Sequence, residues 1–321
     1  EIYTVTAFVM DCSGNAIGAS NTAQVGLTEK LQRYDVVINE ILFNPSPKSN
    51  DYVELYNRSN KIISLRNAYI ANRNTSGTIS SITQVSADDY LLFPQSYIVL
   101  TQNASLVTNS YIANNIDAFV ELNMPSYNDD KGNVILLNET GDVMEEIAYN
   151  ENWHYKLISL KEGVAMERIN YNDTTMDNPQ TINNNEQSAN WMSAASTVGY
   201  GTPTYKNSQF LADAGVQGTI TTTPEAISPD NNGMGDFLTI HYSFPEPGYT
   251  ANIVIYDGAG NPVRKLQQNA LCGTTGKFTW DGLGENNKQL RSALYIINTE
   301  VFNLQGMTKR YRNVVAIAAT F

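Results

Sequence analysis

Few side chains in this sequence are of the kinds that carry chemistry, and their spacing restricts what that chemistry is. The tract Ser228-Pro229-Asp230-Asn231-Asn232-Gly233-Met234-Gly235-Asp236 sets oxygen-bearing side chains at alternating positions and then bends at two glycines. A short loop of that kind wraps a hard cation with carboxylate, amide and main-chain oxygens. Asp230, Asn232 and Asp236 are therefore the candidate ligands for Ca²⁺. The competing reading is a turn that caps its own N–H groups ahead of the strand-forming run FLTIHYSF. No glutamate stands at the twelfth loop position, where an EF-hand uses one.

A second candidate is the pair Glu40 and Glu54, one on each of two successive β-forming runs, VVINEILF and YVELYN. Two carboxylates facing each other are the equipment of glycosidases; the alternative is that each accepts hydrogen bonds from backbone or arginine at the base of a loop. There are only two histidines, His154 and His241, too few for a zinc cage or histidine-based acid–base work, and both are expected to be packed or hydrogen-bonded. Cys12 and Cys272 lie far apart, each beside a glycine-containing turn and without a histidine nearby in sequence, so free thiols are expected. Tyr52, Tyr56, Trp153, Tyr155 and Trp191 offer either a platform on which a sugar ring stacks or the core and rim of a β-sandwich. Neither a G-x-x-x-x-G-K-[ST] phosphate loop nor a strand–GxGxxG–helix unit occurs, and no nucleotide cofactor is expected.

These groups must be held by a β-rich scaffold. The 321 residues suffice for two domains of ordinary size and a piece of a third. With 42% hydrophobic residues the chain should fold, and its 19 tyrosines outnumber 10 phenylalanines and 3 tryptophans together, which suits half-exposed sheet faces. The net charge of −12 repels phosphate backbones and anionic membranes, so no nucleic-acid partner is expected. No run approaches the ~20 apolar residues that cross a bilayer, and no membrane span is expected. The opening EIYTVTAF is mid-strand in character and carries no signal-peptide pattern, from which a fragment or processed form is expected.

Residues 1–30 read strand, turn, strand, a piece too small for a core of its own. The pattern D-x-x-G-N occurs at Asp11, Asp129 and Asp257, and predicts three hairpin turns of one design, with a carboxylate accepting backbone N–H groups while Gly and Asn take positive φ. Two polar stretches, ANRNTSGTISSITQVSADD and TQNASLVTNSYIANN, are expected to be long loops, as is NDTTMDNPQTINNNEQSAN. Residues 208–221 read as a linker. Beyond them, β-forming runs separated by turn signals every 8 to 12 residues are what a sandwich requires.

The residues INEILFNP followed by DYVELYNRS resemble the opening of the lamin-tail domain, an Ig-like β-sandwich, in the form found in secreted proteins of Bacteroidetes-type bacteria. The likeness continues through KGNVILLNETGDVMEEIAY, VAMERINYN and NWMSAASTVGYGTPTYKNS. Ala165-Met166 stands where the family usually has Ser-Leu, and Tyr205 near a usual glycine. The first 30 residues resemble the final hairpin of a bacterial Ig-like domain. ISPDNNGMGDFLTIHYSF, VIYDGAGNPVRKL, FTWDGLGENNKQLRSALYII and RYRNVVAIA resemble the Ig-like domain first recognised in the flagellar hook-capping protein; Ser292-Ala293-Leu294 occupies the place of the family's glycine before Tyr295.

The expected fold is thus all-β, with tandem Ig-like β-sandwiches: a terminal hairpin of a truncated Ig-like domain (1–30), a lamin-tail sandwich (35–207), the linker (208–221) and a C-terminal sandwich (222–321). The resemblances imply a non-catalytic, extracellular or cell-surface protein acting as a spacer, adhesion or interaction module toward a surface protein or a glycan. Likeness to C-terminal sorting domains of type IX secretion implies that the last domain aids export or anchoring. The alternatives are accessory domains of a larger extracellular hydrolase, such as a nuclease or phosphatase, and a carbohydrate-binding module.

Overall fold

Strand-forming runs close into two layered units, each over a core of its own. The computed structural model describes residues 2–17, 22–171, 187–211, 218–230, 232–304 and 308–318. In the first unit a six-stranded sheet runs in the order Phe119–Glu121, Tyr97–Thr101, Tyr52–Asn57, Val36–Leu42, Met166–Arg168, Trp191–Ser193. Only its first two neighbours are parallel. A four-stranded antiparallel sheet lies over it, in the order Val143–Ile147, Val134–Leu137, Tyr69–Arg73, Ile79–Gln84. Ile38, Ile41, Val53, Leu55 and Ile98 from one layer meet Ile70, Val134, Leu136 and Ile147 from the other. Burying each such side chain contributes about 1.5–3 kcal/mol, which is what holds the layers face to face.

Val36–Leu42 and Tyr52–Asn57 are buried along their whole length rather than at alternate residues. Their outer face is covered too: Leu42, Tyr52 and Val99 pack against Val107, Tyr111, Ala165 and Ala194. Val107 belongs to the single α-helix among the described residues, Ala104–Ser110, which begins where the Asn103 side chain accepts the Leu106 N–H at 3.1 Å. A β-bulge between Ile38 and Glu40 interrupts the ladder. It lets Ile38 and Ile41 both enter the core although three residues apart, and so turns Glu40 to the outer face. Across the core, Arg168 and Glu145 form a fully buried ion pair at 2.6 Å that ties the two sheets together. The same groups hold Ile38, whose C=O accepts from Arg168 Nε at 2.8 Å and whose N–H donates to Glu145 at 2.5 Å.

The second unit pairs a three-stranded sheet, Thr219–Thr223, Leu238–Ser243 and Thr275–Trp280, with a five-stranded one in the order Ala226–Ile227, Thr308–Ile317, Ala293–Phe302, Thr250–Tyr256, Pro262–Leu271. Ile240, Phe278 and Trp280 of the first meet Ile253, Ile255, Ile297 and Val315 of the second. The chain is therefore all-β. Its N-terminal hairpin, Ile2–Thr6 against Thr22–Gly26, leaves Tyr3, Val5, Phe8 and Leu27 exposed and adds no residue to either core.

Several expectations change at this level. Asp11 and Asp257 do accept the N–H groups of Asn15 and Asn261, over glycines with φ of +81° and +85°. The third site differs: Asp130, not Asp129, takes a local N–H, and Gly132 is absent from the positive-φ residues because Tyr149 sits against it and accepts its N–H. Two turns built on asparagine share the Asp11 design instead. Asn74 accepts from Ser76 and Thr78, and Asn138 from Thr140 and Asp142, each over a glycine at positive φ. The first of these closes a strand pair inside a stretch expected to be a loop, and the helix lies inside another. Most of the third expected loop, 172–186, lies outside the described residues, as does Asn231. The expected linker is ordered at both ends: Ser208 and Gln209 are buried, and Thr219–Thr223 is a sheet strand.

Candidate functional site

The bulge and the register bring three glutamates side by side. Glu40 stands directly opposite Glu54 on one neighbouring strand and opposite Glu167 on the other, all three without solvent exposure. Like charges so placed repel across a sheet, and the segment Thr202–Gln209, laid over them, supplies the compensation. Glu40 accepts the Thr202 N–H at 2.9 Å and the Tyr52 hydroxyl at 3.0 Å. Glu54 accepts the Thr204 N–H at 2.5 Å and the Asn39 amide at 2.9 Å. Glu167 accepts the Gln209 N–H and the Ser208 hydroxyl, both at 2.8 Å. Asn207 locks the crossing by donating to the Asn39 and Arg168 carbonyls, each at 2.9 Å. Backbone amides do reach Glu40 and Glu54, whereas Arg168 goes to Glu145.

Protons can be assigned here by counting donors. The Thr202 hydroxyl lies 2.8 Å from Glu167 and 3.2 Å from Glu40, and has one hydrogen. It donates to Glu167, the nearer, and the Glu40 oxygen then carries the proton that closes the second contact. Burial, reinforced by the charge of Glu167, pushes the Glu40 carboxyl up to about 8. Burial and Glu40 raise Glu54 as well, whereas three donated bonds oppose the rise at Glu167. The trio is thus a clamp on a crossing segment, with both oxygens of every carboxyl already hydrogen-bonded.

Open surface with mixed chemistry lies elsewhere, at a cleft of about 490 Å³ next to the joint between the units. Asn150 accepts the Asn152 N–H at 2.9 Å and so starts the short 3-10 turn Glu151–Trp153, which delivers Trp153, His154 and Tyr155 in succession to the cleft wall. Trp153 is half-buried against the first core. His154 is 3% exposed, with Nδ1 at 2.9 Å from the Ser193 hydroxyl, which itself accepts the Tyr155 N–H at 2.9 Å. Burial, with the Lys161 charge adding to it, pushes His154 down to about 4 and keeps the ring neutral. Among its hydrogen bonds the Ser193 hydroxyl has no acceptor for its own hydrogen other than Nδ1, so that hydrogen goes to Nδ1 and the imidazole proton stands on Nε2. That Nε2–H has no partner, and neither does the indole N–H of Trp191, a residue 2% exposed on the same cleft. Arg168, a member of the buried ion pair, lies 5.2 Å from the centroid of the Trp191 ring.

The remaining expected site residues separate from this cleft. Of the five aromatics, Trp153, Tyr155 and Trp191 meet there, whereas Tyr52 is buried on Glu40 and Tyr56 stacks between Tyr97 and Tyr171. His241 is exposed on the three-stranded sheet, opposite Thr221 and Lys277, rather than packed. Cys12 and Cys272 are free thiols, the first exposed and the second buried. In the expected calcium loop, Asp230 accepts the Asn232 N–H at 3.1 Å, Asp236 the Gly233 N–H at 2.8 Å, and Asn232 the Met234 N–H at 2.8 Å. The loop side chains therefore cap their own turn. No group of three or more His, Cys, Asp or Glu suited to a metal occurs among the described residues. Glu167 and the polar tail Thr202–Gln209 went unrecognised as partners of Glu40 because their strands and segments are more than 120 residues distant in sequence. The only cue was the shared alternation of Glu with apolar residues in NEIL, VELY and AMERI.

Also among the described residues, no helix is long and apolar enough to cross a membrane. Residues 30–151 match the family model of the Lamin Tail Domain. No curated protein matches the chain by sequence. Solved structures with some likeness include dimeric latent PorU from Porphyromonas gingivalis, at 10% identity and a TM-score of 0.25, over 89% of this chain and 20% of that one. PorZ of the same organism, a surface component of its type-IX secretion system, gives 10% identity and a TM-score of 0.24 over 88% of this chain and 39% of that one. The exo-chitosanase CsxA from Amycolatopsis orientalis gives 12% identity and a TM-score of 0.21 over 85% and 26%. The chain spans well under half of each of these. What the sequence comparison assigns is one segment: residues 30–151 carry the pattern of a lamin tail domain, and the sheet they build continues past it through Met166–Arg168 and Trp191–Ser193.

Proposed function

We propose that this chain is a non-catalytic interaction module of an extracellular or cell-surface protein, with its two β-sandwiches fixed to each other as a rigid spacer. The observation that carries the reading is the joint. Ser208 C=O accepts the Thr274 N–H at 2.8 Å, the Thr274 hydroxyl donates to Phe210 C=O at 2.7 Å, and the Ser196 hydroxyl donates to Leu271 C=O at 2.8 Å. Thr197 and Tyr242 share a hydrogen bond at 2.8 Å, and Tyr155 and Thr250 share another at 2.7 Å. Gly273 makes the approach feasible, since a Cβ there would lie 2.2 Å from Ser208 O. Each bond contributes about 0.5–1.5 kcal/mol net, and several acting across one junction oppose a hinge. The described ionisable groups singled out above support the same reading, because the three glutamates are buried and hydrogen-bonded and His154 is buried with its ring held neutral.

Spin labels on two exposed turn tips, Ser76 in the first unit and Ala259 in the second, test the joint. A single narrow distance distribution is expected, and a broad one overturns the spacer. Turnover of ester, phosphate or glycoside substrates by the purified chain above the buffer rate overturns the non-catalytic part. Protease accessibility on intact cells tests the surface placement.

A further inference from the structure

We propose that the cleft formed by Trp153, His154, Trp191 and the Asn150–Asn152 turn is a saccharide-binding site. The inference rests on the reading of the chain as an interaction module and names the chemical class that the module takes. Three properties of the cleft converge on it.

The first is the aromatic wall. Trp153 is half-buried, packed against the first core and still partly exposed at the cleft. An anchored indole loses little freedom when the C–H face of a sugar ring settles on it. The second is the pair of donors. His154 Nε2–H and Trp191 Nε1–H belong to residues of this wall and lack partners, and both atoms are closed to solvent in this structure, so a ligand oxygen meets them only when the wall side chains around them turn aside. A buried donor without an acceptor is unfavourable by roughly 1–3 kcal/mol, which a hydroxyl or ring oxygen brought against it relieves. An apolar ligand relieves nothing. The third is charge. In a chain of net charge −12, the described residues that line this cleft include Lys156, Asn150 and Asn152 and no carboxylate. Electron-rich oxygens are therefore admitted, and the amides can both donate to and accept from hydroxyl groups. A cleft with an aromatic wall, unpartnered ring donors just behind it and amide rims is the arrangement expected for a polyhydroxylated ring.

The test is binding of the whole chain to a printed array of plant, bacterial and mucin oligosaccharides. Any array saccharide that binds is then titrated in solution by tryptophan fluorescence. At least one is expected to bind with Kd on the order of 10–1,000 μM, with a change in indole emission. Trp153→Ala should weaken it at least tenfold. Because Trp153 also touches the core, Asn152→Ala combined with Lys156→Ala, both exposed positions, is measured alongside and should weaken binding at unchanged melting temperature. A salt-sensitive affinity indicates an acidic sugar engaging Lys156, a salt-insensitive one a neutral sugar, and either supports the site. No binding to any array saccharide, or binding unaffected by both variants, overturns it and leaves the non-catalytic reading standing. Recovery of the bound oligosaccharide in cleaved form overturns that reading while leaving the cleft occupied.

Discussion

Replacing Glu40 by Gln tests the proton assignment in the buried trio. A protonated Glu40 presents one accepting oxygen to Tyr52 and the Thr202 N–H and one donating O–H to the Thr202 hydroxyl; a glutamine amide presents the same acceptor and donor in nearly the same volume. The unfolded carboxyl titrates near its ordinary 4.5, whereas the folded one is pushed up to about 8. Between those values the folded chain holds a proton that the unfolded chain has released, so stability is greatest below the unfolded pKa and falls as pH rises toward the folded one. At 1.36 kcal/mol per pKa unit, the Glu40 contribution falls by roughly 2 kcal/mol between about pH 6.5 and about pH 8.5. His154, pushed down to about 4, changes stability in the opposite sense but below this window. Asp51, pushed up to about 7 by burial and by Asp129, titrates within it but is unchanged in the variant. Urea unfolding of both proteins at the two pH values isolates the Glu40 share as a difference. Glu40→Gln should gain about 2 kcal/mol on the wild type across the window and lie within about 1 kcal/mol of it at the lower pH. A difference that does not change with pH, or a loss above about 3 kcal/mol at the lower pH, would mean that Glu40 is charged in the fold and would refute the assignment.

Glu167→Gln should behave differently from its neighbour, because a Gln amide keeps one accepting oxygen for Ser208 and Gln209 but turns its NH2 toward the hydroxyl that Thr202 donates there; a loss of about 1–3 kcal/mol in the same unfolding assay is expected, and a neutral result would contradict it. Arg168→Met leaves Glu145 buried without its partner and should lose about 3–5 kcal/mol, measured as a drop in the urea midpoint. Gly273→Ala drives a Cβ into the Ser208 carbonyl and should split a single calorimetric unfolding transition into two; a single unshifted transition would show that the joint carries no coupling. Because Asp230, Asn232 and Asp236 cap their own turn, millimolar Ca²⁺ and chelator should leave the melting temperature unchanged, and a rise of several degrees with Ca²⁺ would restore a cation site there.

Most of the β architecture was legible because strands buried on one face alternate, and because Gly, Asn and Pro mark where they turn. LTIHYS and ANIVIY announce themselves in that way. The bulge at Asn39 was hidden for the same reason: the run VVINEIL breaks alternation, and only the ladder shows that this break is what faces Glu40 outward. Asparagine-rich stretches were read as loops on composition. Asn74 instead closes a tight hairpin and Asn103 caps a helix, since a side-chain amide oxygen that satisfies local N–H groups serves a turn, a cap and an irregular loop equally well. The glutamate pair was visible, but its third member and the covering tail were not, because nothing local in AMERI or TPTYKNSQ says that either meets Glu40, which lies 127 residues before Glu167 and 162 before Thr202. The aromatics of the cleft were named among others; what separated Trp153 from Tyr52 and Tyr56 was its part exposure, and what separated Trp191 from Tyr52 was an unpartnered ring N–H against a bonded hydroxyl, both of which depend on the tertiary fold.

Hydrogen exchange at the backbone amides of Thr202, Thr204 and Gln209 tests the central claim most directly. If Glu40, Glu54 and Glu167 are a closed clamp on the crossing segment, these three amides should exchange only with global unfolding, at rates set by the total stability, like the core amides of Val36–Leu42. Exchange of the three within minutes, while those core amides stay protected, would show carboxylates open to solvent and available to a substrate.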